Sequence, residues 1–168
     1  FKATLAGVSP TGKVPVLVDG DLTVWDTLAI AEYLAETYPD RQLWPQDKAA
    51  RARARSVVAE MHSGFAALRG ACPMNIEADL AQQGALRWRD RPAVRADVQR
   101  LIDMWGGLLT QYGGPMLFGQ FSIADAFYAP VCMRVSRYGL PVPKPIAQYI
   151  QRVEALSAMQ EWIAAAKA

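Results

Sequence analysis

The sequence has few of the residues that build disulfide frameworks or metal centres. Its 168 residues include two cysteines, Cys72 and Cys132, and one histidine, His62, and the sequence contains no Cys-x-x-Cys motif. A structural zinc site needs about four such ligands, and small secreted scaffolds need several cysteine pairs. We therefore expect no metal cofactor and a reducing compartment, the cytoplasm.

The sequence also has little net charge and no long apolar run. Eighteen Lys and Arg against 16 Asp and Glu give a net charge of +2 at pH 7, and the basic residues are scattered among acidic ones. Nucleic-acid-binding proteins carry a basic patch, and a transmembrane helix needs about 20 mostly apolar residues. We therefore expect neither nucleic acid nor membrane as a partner. The 52% hydrophobic and 20% charged content is that of a globular protein with a sizeable core.

The most informative stretch covers residues 9–34. A Pro-Thr-Gly turn precedes a run rich in Val and Leu, and Asp19-Gly20-Asp21 then tolerates the positive φ of a tight reversal. The pattern predicts two short strands joined by a hairpin turn. A helix should follow, because Asp26 and Thr27 can cap free backbone N–H groups. Its buried stripe would consist of residues at helical spacing: Ile30, Tyr33 and Leu34.

The start of this helix can serve two purposes. Asp26 or Thr27 can simply cap the helix, as such residues often do. Alternatively, the free N–H groups and the helix dipole favour a carboxylate, while Asp26 offers a partner for an ammonium group. Together these features suit the head group of an α-amino acid. The residues alone leave both interpretations open.

Two strings in this stretch resemble a known family. Ser-Pro-Thr-Gly-Lys-Val-Pro-Val-Leu at 9–17 and Asp-Thr-Leu-Ala-Ile-Ala-Glu-Tyr-Leu at 26–34 are similar to the glutathione-binding half of the thioredoxin-like domain in cytosolic glutathione transferases, including bacterial ones. The resemblance implies that Lys13, Val14, Pro15, Asp26 and Thr27 bind glutathione. Val14 would pair through its backbone with the cysteinyl part, and Asp26 and Thr27 would hold the γ-glutamyl end. The usual pair in the family is Glu-Ser, so Asp26 is shorter by one methylene.

The resemblance also implies that the Val14–Pro15 bond is cis, although only about 5–6% of X-Pro bonds in folded proteins are cis. It further implies that the Ser, Tyr or Cys that activates the glutathione sulfur precedes Phe1. The catalytic residue is therefore unknown from this sequence.

The predicted fold class is an α/β thioredoxin-like domain, partial here, followed by an all-α helical bundle. We expect the first domain at residues 1–39, a linker with a Leu-Trp-Pro segment at 40–47, and the helical domain at 48–168. Ser122 and Asp125 have the spacing of a capping box at the start of a helix. The phrase Ser-Ile-Ala-Asp is also similar to the capping motif of a buried helix in the family's C-terminal domain.

Residues 54–68 predict one helix that faces a core, because apolar residues recur at spacings of three and four. Arg55, His62 and Arg69 share a flank of that helix. This flank is either a solvated basic edge or, as the resemblance implies, part of the wall of the cleft over glutathione. In the second case Met61, His62 and Phe65 would line the pocket for the second substrate.

Two functions follow from the resemblance. The first is a glutathione transferase that conjugates the glutathione thiol to a small hydrophobic electrophile or exchanges the thiol with it. A related glutathione-dependent isomerase or reductase belongs to the same class. The second is a non-catalytic binding or assembly module of the same fold. The intact Val-Pro and Asp-Thr positions favour the first, because a scaffold needs no clamp for an amino acid. Glutathione is then the expected co-substrate, and the resemblance implies a homodimer.

Overall fold

The computed structural model describes Leu5 and residues 7–167. In this part of the chain two strands, β1 (Val16–Asp19) and β2 (Leu22–Trp25), precede eight α-helices and a 3₁₀ turn at Pro39–Arg41. The helices are α1 (Thr27–Thr37), α2 (Lys48–Ser63), α3 (Ala66–Ala71), α4 (Ala81–Asp90), α5 (Pro92–Tyr112), α6 (Ile123–Arg137), α7 (Lys144–Glu154) and α8 (Ser157–Lys167). This order confirms the predicted fold class.

The hairpin forms where the Asp-Gly-Asp sequence predicts it. The strands β1 and β2 are antiparallel, with Val16 opposite Trp25 and Asp19 opposite Leu22, and Gly20 has a φ of 57° in the turn. The Tyr33 hydroxyl on α1 donates a hydrogen bond of 2.7 Å to the Asp19 carboxylate, which raises the pKa of Tyr33. This bond holds α1 against the hairpin.

The prediction that the apolar stripe of α1 is buried in a core is wrong. Ile30, Tyr33 and Leu34 are only half-buried, and no residue of α1 is fully buried. Ile30 and Leu34 instead line a cleft between α1 and the helical domain. The stripe is apolar because it forms one wall of that cleft.

The main core lies between α2, α5, α6 and α7. Trp105, Tyr128 and Tyr149 are completely buried there and meet edge to face, with ring centres 5.4 Å and 5.2 Å apart. Aromatic pairs in this geometry add to the stability that apolar burial supplies. The Tyr128 hydroxyl donates to the carbonyl of Val57, which joins α6 to α2.

Ser122 and Asp125 form the predicted capping box at the start of α6. The Asp125 side chain is fully buried, and it accepts hydrogen bonds from the N–H groups of Leu117 (3.1 Å) and Ser122 (2.9 Å) and from the Tyr149 hydroxyl (3.1 Å). Burial raises the pKa of Asp125, and these hydrogen bonds oppose the rise. The capping residue is therefore also a polar centre that joins α6, α7 and the loop before α6.

The prediction of one continuous helix over 54–68 is wrong. The helix α2 ends at Ser63, Gly64 is extended, Phe65 has a φ of 54°, and α3 begins at Ala66. A side chain at 64 would place its Cβ 2.6 Å from the carbonyl oxygen of Glu60, so the break uses a glycine. The Asp97 carboxylate of α5 accepts from the Leu68 N–H at 2.8 Å and thereby stabilises the new helix start.

The helix α4 is longer than the sequence indicates. The Gly and Pro residues of segment 70–92 predict a loop with at most a helical turn, whereas α4 has ten residues and contains Gly84. A Cβ at Gly84 would lie 1.7 Å from the carbonyl oxygen of Tyr138. Gly84 is thus a close-packing position between α4 and the end of α6.

Candidate functional site

The five residues predicted to bind glutathione lie around one cavity. Its volume is about 280 Å³, and its walls come from the loop before β1, the end of β2 and the start of α1. The lining residues are Thr11, Lys13, Val14, Pro15, Trp25, Asp26 and Thr27. The Val14–Pro15 bond is cis, as the resemblance implies.

Asp26 caps α1, which is one of the two purposes that the sequence predicts for this helix start. Its Oδ1 accepts a hydrogen bond of 2.9 Å from the Leu28 N–H. Its backbone has φ 75° and ψ 132°, a conformation that L-residues rarely adopt. Such strain costs on the order of 1–3 kcal/mol and is concentrated at ligand sites. The cap alone does not require this backbone, because ordinary N-cap residues are extended with negative φ.

The second carboxylate oxygen of Asp26 faces the helical domain. Its Oδ2 lies 3.4 Å from Nε2 of His62 on α2, and the two side chains are 46% and 42% exposed. Within the described residues no hydrogen bond uses this oxygen. One carboxylate therefore caps a helix through one oxygen and presents the other to the imidazole of His62.

Backbone groups without partners complete the cavity. Within the described part of the chain, no hydrogen bond uses the N–H or hydroxyl of Thr27, nor the N–H or C=O of Val14. Free N–H groups at a helix start bind anions, and unpaired backbone N–H and C=O groups can pair with a peptide. The cavity thus offers an anion site, a carboxylate and a short peptide edge next to one another.

A larger and mainly apolar cleft adjoins this cavity. It has a volume of about 440 Å³ between α1, α2 and α6, and Thr27 lines both spaces. Other lining residues include Ile30, Leu34, Met61, His62, Phe127 and Pro130. Sequence reasoning missed the contributions of α1 and α6, since the apolar stripe of α1 looked like core and α6 resembled a buried helix of the helical domain.

The structure brings Met61 and His62, but not Phe65, to this cleft. Phe65 is 6% exposed and packs edge-on against Tyr128 with ring centres 6.4 Å apart. The break at Gly64 turns its side chain into the core.

The flank that carries Arg55, His62 and Arg69 is solvent-exposed, as the solvated-edge interpretation predicts, but Arg55 also contacts α1 and the linker. Arg55 makes two hydrogen bonds to Glu32 of α1, at 3.0 Å and 2.9 Å, and its guanidinium lies 5.7 Å from the ring centre of Trp44. Trp44 is buried in the linker, whose Leu43 carbonyl accepts from the Ile123 N–H at 2.9 Å. These contacts hold α1 against α2 and so place Asp26 opposite His62.

The described residues contain no group of three or more His, Cys, Asp or Glu side chains arranged to hold a metal ion. Between Leu5 and residue 167, no helix in the described structure is long and apolar enough to cross a membrane. Cys72 and Cys132 are buried in the helical domain, and burial raises the pKa of both thiols. A raised thiol pKa lowers reactivity, because the thiolate is the nucleophile.

Comparison with known proteins finds relatives among glutathione-dependent enzymes. The chain is 30% identical over 136 residues to glutathione S-transferase 1 of Dianthus caryophyllus, covering 79% of this chain and 59% of that protein. It is 29% identical over 170 residues to a probable maleylacetoacetate isomerase of Caenorhabditis elegans, covering 98% of this chain and 74% of that protein. The chain thus spans 59% and 74% of the lengths of these two relatives.

A solved structure shares both the fold and some sequence identity. The crystal structure of a glutathione transferase homologue from Burkholderia gl BGR1, with bound glutathione, has a TM-score of 0.66 and 26% identity, covering 91% of this chain and 72% of that one. The family model of the glutathione S-transferase N-terminal domain matches residues 1–37, and that of the C-terminal domain matches residues 48–165. Since the second match alone spans more than half of the chain, the protein belongs to the glutathione S-transferase family.

Proposed function

We propose that this protein binds glutathione in the cavity between Val14 and Thr27 and transfers its thiol to a small hydrophobic electrophile in the adjoining cleft. One observation carries the proposal: an amino-acid clamp and an apolar cleft meet at Thr27. A thiol donor and an apolar acceptor could therefore lie side by side. The alternative of a non-catalytic module gives no reason for this juxtaposition.

The proposal assigns a group of the cavity to each charged end of glutathione and to its cysteinyl main chain. The γ-glutamyl carboxylate would bind the N–H and hydroxyl of Thr27 at the positive end of α1. The ammonium would face Oδ2 of Asp26, and the cysteinyl main chain would pair with the backbone of Val14. Lys13 would add a positive charge for the second carboxylate of the tripeptide. The relative from Burkholderia gl BGR1 was solved with bound glutathione, which supports this assignment.

A glutathione-dependent isomerase is the second candidate. The alignment with the probable maleylacetoacetate isomerase of Caenorhabditis elegans extends over 98% of this chain, farther than that with the Dianthus transferase. Both candidates are glutathione-dependent enzymes, but they differ in what happens to the thiol. A transferase consumes glutathione as the product forms, whereas an isomerase adds the thiol and then eliminates it. Following free thiol during turnover of 1-chloro-2,4-dinitrobenzene and of maleylacetoacetate would therefore separate them.

Calorimetry with the full-length protein tests the clamp directly. Thr27→Ala should weaken glutathione binding by about 1–3 kcal/mol, the cost of a lost hydrogen bond to a charged group. Thr37→Ala is the matched control, because Thr37 lies at the other end of α1 and its hydroxyl donates to the Tyr33 carbonyl. The control should bind glutathione like the unmodified protein. Equal affinities for the two variants, or no binding by the unmodified protein, would refute the clamp.

A further inference from the structure

We infer that His62 competes with the ammonium group of glutathione for Asp26, so that protonation of one imidazole weakens ligand binding. The inference rests on the proposed function, because it concerns the same carboxylate. It adds a regulatory property to the clamp and assigns a role to the single histidine of the chain.

The geometry makes Oδ2 the more accessible oxygen of Asp26 for a second cation. Oδ1 already accepts the Leu28 N–H at 2.9 Å, whereas within the described residues Oδ2 accepts no hydrogen bond. His62 Nε2 already lies 3.4 Å from Oδ2. This distance exceeds that of a charge-assisted hydrogen bond, about 2.7–2.9 Å, so the contact does not saturate the oxygen. Both side chains are nearly half exposed, which leaves room for a ligand to reach the same oxygen.

The charge of His62 decides between the two partners. Histidine is the side chain that ordinarily changes charge between pH 5 and 8. A neutral imidazole leaves the negative charge of Asp26 to the ligand. An imidazolium at His62 neutralises that charge and lies a few ångströms from the bound ammonium group. It therefore weakens the attraction of the ammonium to Asp26 and also repels it. Glutathione should accordingly bind the deprotonated form more tightly, and affinity should fall as pH falls.

The other charged groups around His62 keep their charge in this pH range. Arg69 of α3 donates from its guanidinium to the His62 carbonyl at 3.3 Å, and it lines the same cleft. Arg55, two turns before His62 on α2, is paired with Glu32 of α1. Lys13 lines the same cavity as Asp26. Arginine and lysine stay protonated below pH 8, and exposed carboxylates stay ionised above pH 5.

A purely structural role for His62 makes a different prediction. If the imidazole only joined α2 to the first domain, its loss would lower stability or affinity equally at every pH. The pH dependence of ligand affinity therefore distinguishes competition for Asp26 from a purely structural role of His62.

The test uses S-methylglutathione, whose blocked sulfur removes thiol ionisation from the measurement. Calorimetry on the full-length protein at pH 5.5 and 7.5 should show about three- to tenfold weaker binding at pH 5.5, the effect of one partly screened charge a few ångströms away. In His62→Gln and His62→Asn the affinity ratio between the two pH values should be close to one. Arg69→Gln is the matched control, because it removes a permanent cation from the same cleft. It should keep the ratio of the unmodified protein.

Each outcome has a separate meaning. If both His62 variants keep the affinity ratio of the unmodified protein between the two pH values, His62 does not compete for Asp26. The proposal that the cavity binds glutathione would be unaffected. Absence of S-methylglutathione binding by the unmodified protein at pH 7.5 would overturn the clamp and the competition together. Asp26→Asn, which keeps a capping oxygen, should bind weakly at both pH values with a ratio close to one. A persisting ratio in that variant would also refute the competition.

Discussion

Replacing Asp125 by alanine should destabilise the helical domain more than any ordinary capping substitution. The change leaves four hydrogen-bond donors without their acceptor: the N–H groups of Leu117 and Ser122 and the hydroxyls of Ser122 and Tyr149. A buried donor left unpaired costs about 1–3 kcal/mol. The loss is partly offset because alanine removes a carboxylate that burial already disfavours, as the raised pKa of Asp125 indicates. We expect a net loss of about 3–5 kcal/mol in the free energy of unfolding.

Urea unfolding followed by far-UV circular dichroism measures this loss. Asp47→Ala is the matched control, since Asp47 caps α2 through one bond of 2.8 Å to the Ala50 N–H and is exposed. That control should lose about 1 kcal/mol, the usual value of an N-cap. The raised pKa of Asp125 also sets the direction of the pH dependence. The stability that Asp125 contributes is fully present below the pKa of a carboxyl group in the unfolded chain. It declines as the pH rises through the pKa of Asp125 in the folded protein. The Asp125→Ala deficit should therefore shrink from pH 4 to pH 7. A deficit no larger than that of Asp47→Ala would refute the reasoning.

Two further predictions concern packing and assembly. Gly84→Ala would place a methyl group 1.7 Å from the Tyr138 carbonyl oxygen, so it should cost about 3 kcal/mol in thermal or urea unfolding; Gly70→Ala, with open space around its Cβ, should cost far less. Equal stability of the two variants would contradict the close approach of α4 to α6. We also expect a two-fold homodimer, so light scattering at micromolar concentration should give twice the mass of one chain, and a single-chain mass would rule the dimer out.

Features encoded by neighbouring residues could be predicted from the sequence. The Asp19-Gly20-Asp21 turn, the start of α1 at Thr27 and the capping box at Ser122 all depend on side chains that act within three residues of themselves. The order of strands followed by helices is likewise a matter of local periodicity. The prediction of Lys13, Val14, Pro15, Asp26 and Thr27 as a site depends on motif resemblance, and the structure places these residues around one cavity.

Features that depend on distant contacts could not be predicted. The apolar spacing is the same on both sides of Gly64, so periodicity does not reveal that α2 ends at Ser63 and that Phe65 turns into the core. Gly84 looks like a helix breaker until the Tyr138 carbonyl is seen against it. The approach of His62 to Asp26 joins residues from two domains. Only the packing of α1 on α2 brings that pair together.

The contact of Arg55 with Glu32 and Trp44 has a consequence for recombination among relatives. One side chain of the helical domain touches the first domain through Glu32 and the linker through Trp44. A chimera whose first domain comes from another family member keeps this contact only if that domain carries an acidic residue at position 32. A neutral or basic residue there would let α1 settle at another angle and change the width of the cleft below Thr27. The residues at positions 32, 44 and 55 of a chimera should therefore all come from the same parent protein.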